Sequence, residues 1–322
     1  MIMVTNLTIS NDNLKKERIA WIDVAKGIVI MLMVIGHSSL PSIISNWIYS
    51  FHMPFFFIIS GVTTRWEIPL FKFIKNKAVK LILPFFIYSI LNILLFPFYG
   101  KISLWEYFNS VMRNGWGGIA LWFVPILFLA LTIVKTVKGR YEFISIIIIL
   151  IFGCALSKYN VSLPWTLATV PIAAFWVYIG KLFHRAILNT SKIGILISIF
   201  LFIICLSVGG FLSTLSRTDL AANAILPLYV TIPSAILGFI VVCICSNYIV
   251  KYRKLQFVQN IISKIGHHTF EILAFSQVVI MIVNAQISNC PIVLKYSILV
   301  FALYLIISIV LNVKKLHHNI IR

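Results

Sequence analysis

From residue 19 to residue 313 the chain offers one apolar segment after another, with no polar stretch long enough to build a soluble domain. A helix needs roughly 20 predominantly apolar residues to cross about 30 Å of hydrocarbon. Segments of that kind occur at 22–40, 46–64, 80–98, 119–135, 142–157, 166–183, 193–212, 223–246, 268–287 and 294–313. The pattern predicts an all-α integral membrane protein with about ten transmembrane helices in one bundle. Composition agrees: 61% of the residues are hydrophobic and 11% are charged, where a soluble domain carries about a quarter charged residues. Backbone inside hydrocarbon has to satisfy its own hydrogen bonds, so any chemistry must project from helices or from breaks that line a cavity.

The formal net charge of +19 would suggest nucleic acid in a soluble chain, but here its distribution decides. With the N-terminus inside, 21 of the 27 Lys and Arg fall on cytoplasmic segments and their borders, five fall outside, and Lys26 lies within a span. That excess orients the chain with both termini cytoplasmic, and the charge is topological, with no nucleic-acid partner. Three parts follow: a tail at 1–17, a membrane domain at 18–313 and a tail at 314–322. The first apolar segment lacks a small-residue cleavage site, so it reads as a permanent span and not as a signal peptide. Neither internal repeats nor low-complexity tracts are evident. Cys154, Cys205, Cys243, Cys245 and Cys290 show no metal or redox spacing and read as apolar filler.

The first span, in RIAWIDVAKGIVIMLMVIGH, carries Asp23, Lys26 and His37. At 100° per residue, the eleven steps from Lys26 to His37 bring both to one helix face, roughly 16 Å apart along the axis. A polar stripe thus runs from the basic mouth most of the way across. Ionisable groups within spans usually face the bundle interior and mark pathways or sites. The plainer readings are a snorkelling Lys26 paired with Asp23, and a His37 hydrogen-bonded to a neighbouring helix. In the second span His52 lies at a depth comparable to His37 and precedes Pro54, which bends a helix and frees a carbonyl. Two histidines facing one outward cavity is one reading; an interfacial His52 bonded to that freed carbonyl is the other.

Lys72, Lys75, Lys77 and Lys80 cluster where the third span begins, and Lys77 and Lys80, three apart, are expected to share a face. Such a mouth suits a polyanionic ligand, although plain positive-inside orientation accounts for it as well. Trp116 and Trp122 read as an aromatic belt near the outer interface. SKIGHHTFEILAFSQ opens the ninth span with His267 and His268, which read as interface residues, and with Glu271, which would need a partner such as a lysine of the basic mouth. No spacing resembles a metal site, and no nucleophile elbow occurs.

WIDVAKG (21–27) leading to GH (36–37), followed by FHMPFFFIISG (51–61), resembles the integral-membrane acyltransferase-3 family, in its short form without a soluble esterase-like domain. KAVKLILPF (77–85), LWFVPILF (121–128), YIGKL (178–182) and IGHHTFEIL (265–273) extend the resemblance over roughly residues 17–312. It implies about ten helices, an acyl-coenzyme A donor (acetyl-CoA above all) taken from the cytoplasm, and transfer to a hydroxyl of an envelope glycan or lipid-linked glycan in the bacterial inner membrane. Family members pair a basic residue in the first span with a histidine eleven positions on, which here are Lys26 and His37. They also carry two arginines three apart before the third span; Lys77 and Lys80 stand there instead, keeping the charge without the bidentate fork. Many members have a histidine where this chain has Ser276, and that role does not carry over.

On this reading Lys26, Lys77 and Lys80 bind the donor, His37 is the base that activates the acceptor hydroxyl or carries the acyl group, and Asp23, His52, Trp122 and Glu271 support or line the site, with membrane lipid around the whole. The competing reading is a transporter or flippase for an anionic or lipid-linked sugar, with His37 as a proton relay. A membrane-embedded glycosyltransferase is less well served, because the longest outer loop holds only Lys101, Glu106 and Arg113 as charged residues.

Overall fold

A computed structural model describes residues 19–37, 40–95, 120–188 and 194–286, together with the isolated positions 103, 105, 298, 308 and 312. The described residues form helices and no strand; their only ladder pairing is an isolated bridge between Asp219 and Ala224. In chain order the helices are α1 (Ala20–Gly36), α2 (Ser42–Thr63), α3 (Leu70–Lys77), α4 (Leu83–Leu95), α5 (Phe123–Thr136), α6 (Glu142–Lys158), α7 (Val170–Leu182), α8 (His184–Leu188), α9 (Ile195–Leu215), α10 (Leu228–Lys251), α11 (Gln256–His267) and α12 (Thr269–Gln286). A π-helical turn, Ala78–Ile82, joins α3 to α4, and short 3₁₀ turns precede α5, α7 and α11. Nine of the ten anticipated apolar segments fall on helices; the tenth, 294–313, lies outside the described residues apart from three isolated positions, as do both tails.

Among the described residues, five helices are long and apolar enough to cross a membrane: Ser42–Thr63, Leu70–Leu94, Pro164–Leu182, Leu196–Leu215 and Leu228–Lys251. Arg253–His267 and Thr269–Val283, bent by 78° at their junction, would make a sixth if counted as one span. This bend corrects the sequence reading, which leaves 247–267 as a connection between the segments 223–246 and 268–287. Helix α10 runs on to Lys251, and α11 is an amphipathic helix with Phe257 and Ile261 exposed. The third segment also starts earlier than expected, at Leu70, so its lysines ride on the helix itself.

α2 is central and packs against α1, α7, α9 and α10. Its Phe51, Phe55 and Phe57 are fully buried, as are Trp176 of α7 and Phe275 of α12. Lipid tails are as apolar as leucine, so helix association in a membrane relies on close packing and small residues. Two glycine pairs supply it here. A Cβ on Gly61 would sit 2.1 Å from the Val177 carbonyl oxygen, and one on Gly180 would sit 2.0 Å from that of Ile58, which locks α2 to α7. A Cβ on Gly27 would meet the Ile262 carbonyl oxygen at 2.1 Å, and one on Gly266 that of Asp23 at 1.8 Å, which locks α1 to α11. Elsewhere Phe143, Ile148, Leu196 and Phe200 stay exposed, a surface suited to lipid and poorly suited to water.

Candidate active site

Lys26 and His37 begin and end the stripe on α1. His37 is the residue just past the helix, its backbone N–H still donating to the Met33 carbonyl at 3.2 Å, so the helical spacing persists to it. Three cavities lie along this face. The first, about 400 Å³, is lined by Asp23, Lys26, Thr63, His184, His267 and Thr269. The second, about 180 Å³, shares Lys26, Thr63 and Thr269 with the first and reaches Phe123 and Leu273. The third, about 30 Å³, shares Leu273 and is walled by His37, Tyr49, His52, Trp122 and Asp219. Lys26 therefore stands between the first two, and Leu273 separates the second from the imidazole chamber.

At the basic end Asp23 meets two side chains. Lys26 Nζ stands 3.9 Å from Oδ1, and His267 Nε2 is 3.0 Å from Oδ2. Sequence reasoning treated His267 as an interface residue and missed this contact. The signal was the apolar spacing of Phe257, Ile261 and Ile265, which builds α11, together with the glycine that lets it approach α1. Buried Glu271 accepts from the Tyr88 hydroxyl at 3.4 Å, with His268 Nδ1 3.9 Å from its other oxygen.

Lys77 and Lys80 lie on either side of the start of the π turn. The turn changes the angular step per residue, leaving Lys77 half-buried and Lys80 exposed. Lys77 Nζ donates to Thr64 Oγ1 at 2.9 Å and lies 5.5 Å from the Phe73 ring centroid, which Lys135 also approaches at 5.6 Å. Trp66 stacks on the same phenyl ring, and Lys181 covers the indole. Such cation–π contacts are strongest where water is scarce. Neither Lys77 nor Lys80 is among the residues lining the three cavities.

At the opposite end His37 has both ring nitrogens engaged. Tyr49 Oη lies 2.8 Å from Nδ1, and Gln277 Nε2 lies 3.3 Å from Nε2. With the Gln277 amide donating, the imidazole holds its proton on Nδ1 and donates to the tyrosine oxygen; turning the amide over reverses both roles. His52 packs edge-on to Tyr49 and His37, with ring centroids at 5.2 and 6.4 Å. Its Nδ1–H donates to the Ile48 carbonyl at 2.9 Å. The carbonyl freed by Pro54, that of Ser50, is not its partner. Both anticipated histidines and Trp122 thus meet at one chamber.

Tyr49, Gln277, Asp219 and Arg217 were not anticipated. Asp219 belongs to a tight turn between α9 and α10, where its Oδ1 accepts from Ala221 N at 3.0 Å. The turn is pinned to the bundle by the Thr169 hydroxyl donating to the Leu220 carbonyl and the Ser157 hydroxyl donating to that of Asn223. Arg217 lies over the Tyr49 ring at 4.7 Å. Ser276 is buried beside Gln277, and its hydroxyl has no hydrogen-bond partner among the described residues. No group of three potential metal ligands occurs among them either.

A basic vestibule, a narrowing row of cavities and a clamped imidazole together can hold an anionic carrier at one end and bring its reactive group towards a base at the other. A family model described as an acyltransferase domain matches residues 19–313, while no curated protein and no solved structure matches the chain. That match spans nearly the whole sequence, including every residue that lines the three cavities, so the chain belongs to the acyltransferase-3 family and is a multi-pass membrane acyltransferase.

Proposed function

We propose that the enzyme moves an acyl group, acetyl in the first instance, from acyl-coenzyme A at the basic end to a hydroxyl of an envelope glycan or lipid-linked glycan at the end near His37, in the cytoplasmic membrane of a bacterium. The observation that carries this reading is the row of cavities joining Lys26 to His37 through Thr269 and Leu273. Donor phosphates sit in the wide vestibule and draw the Lys26 ammonium, while His267 keeps its contact with Asp23. Lys77 and Lys80 add positive potential on the neighbouring helix, outside the cavity walls. The middle cavity, lined by Phe56, Phe123 and Leu127, excludes water from the thioester arm.

At the far end Gln277 yields Nε2 of His37 to the acceptor hydroxyl. The imidazole takes the hydroxyl proton as the oxygen attacks the thioester carbonyl; the C–S bond breaks, and the departing thiolate recovers the proton from the imidazolium. Tyr49 holds the other nitrogen throughout, and His52 and Trp122 shape the chamber. General-base catalysis of this kind is worth about 10²–10⁴-fold.

Purified protein incubated with acetyl-labelled coenzyme A tests the reading. Thioester loss in the absence of any gradient is expected, with His37→Ala slowing it by about 10²–10⁴-fold while membrane levels of the protein hold. Lys26→Ala is expected to raise the donor KM several-fold with less change at saturating donor. Untouched thioester, or substrate flux that needs an ion gradient, would select the transporter reading.

A further inference from the structure

A further cavity lies across α8 from this row. A groove of about 690 Å³ runs between α9 and α10, floored by Ile58 and Phe239 and walled by α8 on one side. Its origin is legible in the packing. Near the end of the bundle that holds His37, α9 meets α10 closely: a Cβ on Gly209 would lie 3.2 Å from Leu237 Cβ. Towards the basic end the helices splay, and Ile199, Phe202, Ile240 and Ile244 face an open wedge. Polar groups gather at one end of it, where Asn247, Lys251 and Tyr252 form a rim continuous with the exposed Arg253 and Lys254.

We propose that this groove binds one acyl chain of an anionic glycerophospholipid, with the lipid phosphate against Lys251. The volume matches that of ligand sites, which run about 300–1,000 Å³, and away from the rim the walls are aliphatic and aromatic apart from Ser198, Cys243 and Cys245. An apolar wedge open to a bilayer fills with lipid tail, and the positive rim selects a negative headgroup over a zwitterionic one. Short helix α8 gives the site a further consequence. Its Phe183-to-Ile187 face lines the groove, while His184 and Leu188 line the Lys26 vestibule. His184 Nδ1–H donates to the Val62 carbonyl at 2.7 Å, fixing that wall. A chain in the groove therefore braces the partition of the vestibule.

Native mass spectrometry of the delipidated full-length protein, mixed with phosphatidylglycerol or phosphatidylcholine of identical chains, tests the site without reference to catalysis. A single phosphatidylglycerol adduct is expected to survive activation that strips phosphatidylcholine. Lys251→Glu, a change on an exposed side chain, should reduce that adduct several-fold, and Ile240→Trp, which fills the wedge, should remove it. Equal retention of the two lipids, with Lys251→Glu without effect, would leave only an annular shell and overturn the proposal. Displacement of phosphatidylglycerol by an equal concentration of a polyprenyl phosphate would overturn it as well, by giving the groove to a different lipid. Should Ile240→Trp fail to fold, the rim variant alone decides.

Discussion

On the proposed reading His37 is the base, and a base is only as good as its fixation; His37 is held from two sides by residues far apart in sequence. Tyr49 reaches it across the α1–α2 turn and Gln277 from α12, 240 positions away. A hydrogen bond of this type contributes about 0.5–1.5 kcal/mol, which is about two- to tenfold in rate if it is expressed only in the transition state. Tyr49→Phe keeps the ring beneath Arg217 while removing the hydroxyl and with it the hydrogen bonds to His37 and Arg217. It is expected to lower kcat about two- to tenfold and leave the donor KM unchanged, as steady-state kinetics with acetyl-coenzyme A would show. A kcat equal to wild type would remove Tyr49 from the positioning of the imidazole. At this scale the sequence displayed one half of the site. Lys26 and His37 could be read from angular spacing alone, because both lie on one helix. Tyr49, Asp219 and Gln277 could not, since each is an ordinary residue whose importance comes from what another segment brings beside it.

Among the elements, α11 matters most for the basic end, because it carries His267 to Asp23. What lets it lie so close to α1 is the reciprocal absence of side chains at Gly27 and Gly266. Overpacking typically costs about 1–3 kcal/mol, and a Cβ at Gly266 strikes backbone, which yields less readily than a side-chain tip. Gly266→Ala is therefore expected to lower the melting temperature of the detergent-solubilised protein and to separate His267 from Asp23. Gly210→Ala is the matched control: it lies inside α9, nothing stands within 4 Å of its added Cβ, and alanine favours helix over glycine by about 0.8–1 kcal/mol. Its melting temperature should hold or rise. Equal effects from the two substitutions would dissociate stability from the α1–α11 contact. The α11 helix escaped the sequence reading because its polar residues and its length, below that of a span, imitate a loop. Likewise the π turn after Lys77 is invisible to a fixed 100° step, and it leaves Lys77 half-buried and Lys80 exposed.

For the whole molecule, the apolar segments were legible because hydrocarbon imposes a length and a composition on any helix that crosses it. The connections were not, because nothing comparable constrains the segment between α9 and α10 that closes over His37. Orientation is the remaining property of this scale, and it follows from charge. Lys26, Lys135, Lys181 and Lys251 sit at helix ends on one side of the bundle together with α11, whereas the turn after α6, at Tyr159 and Asn160, lies at the other. Basic residues are retained on the cytoplasmic side during insertion, so the vestibule should open to the compartment that supplies the donor. Cysteines placed at exposed Lys264 and exposed Asn160, in a background with the native cysteines replaced, make this measurable. A membrane-impermeant maleimide applied to intact spheroplasts should label Asn160→Cys and leave Lys264→Cys unmodified, and inside-out vesicles should give the reverse. If Lys264→Cys reacts from outside, Lys26 faces away from the cytoplasmic donor pool. The row of cavities would then run in the wrong sense for an acyl carrier made inside the cell, whatever the chemistry of His37.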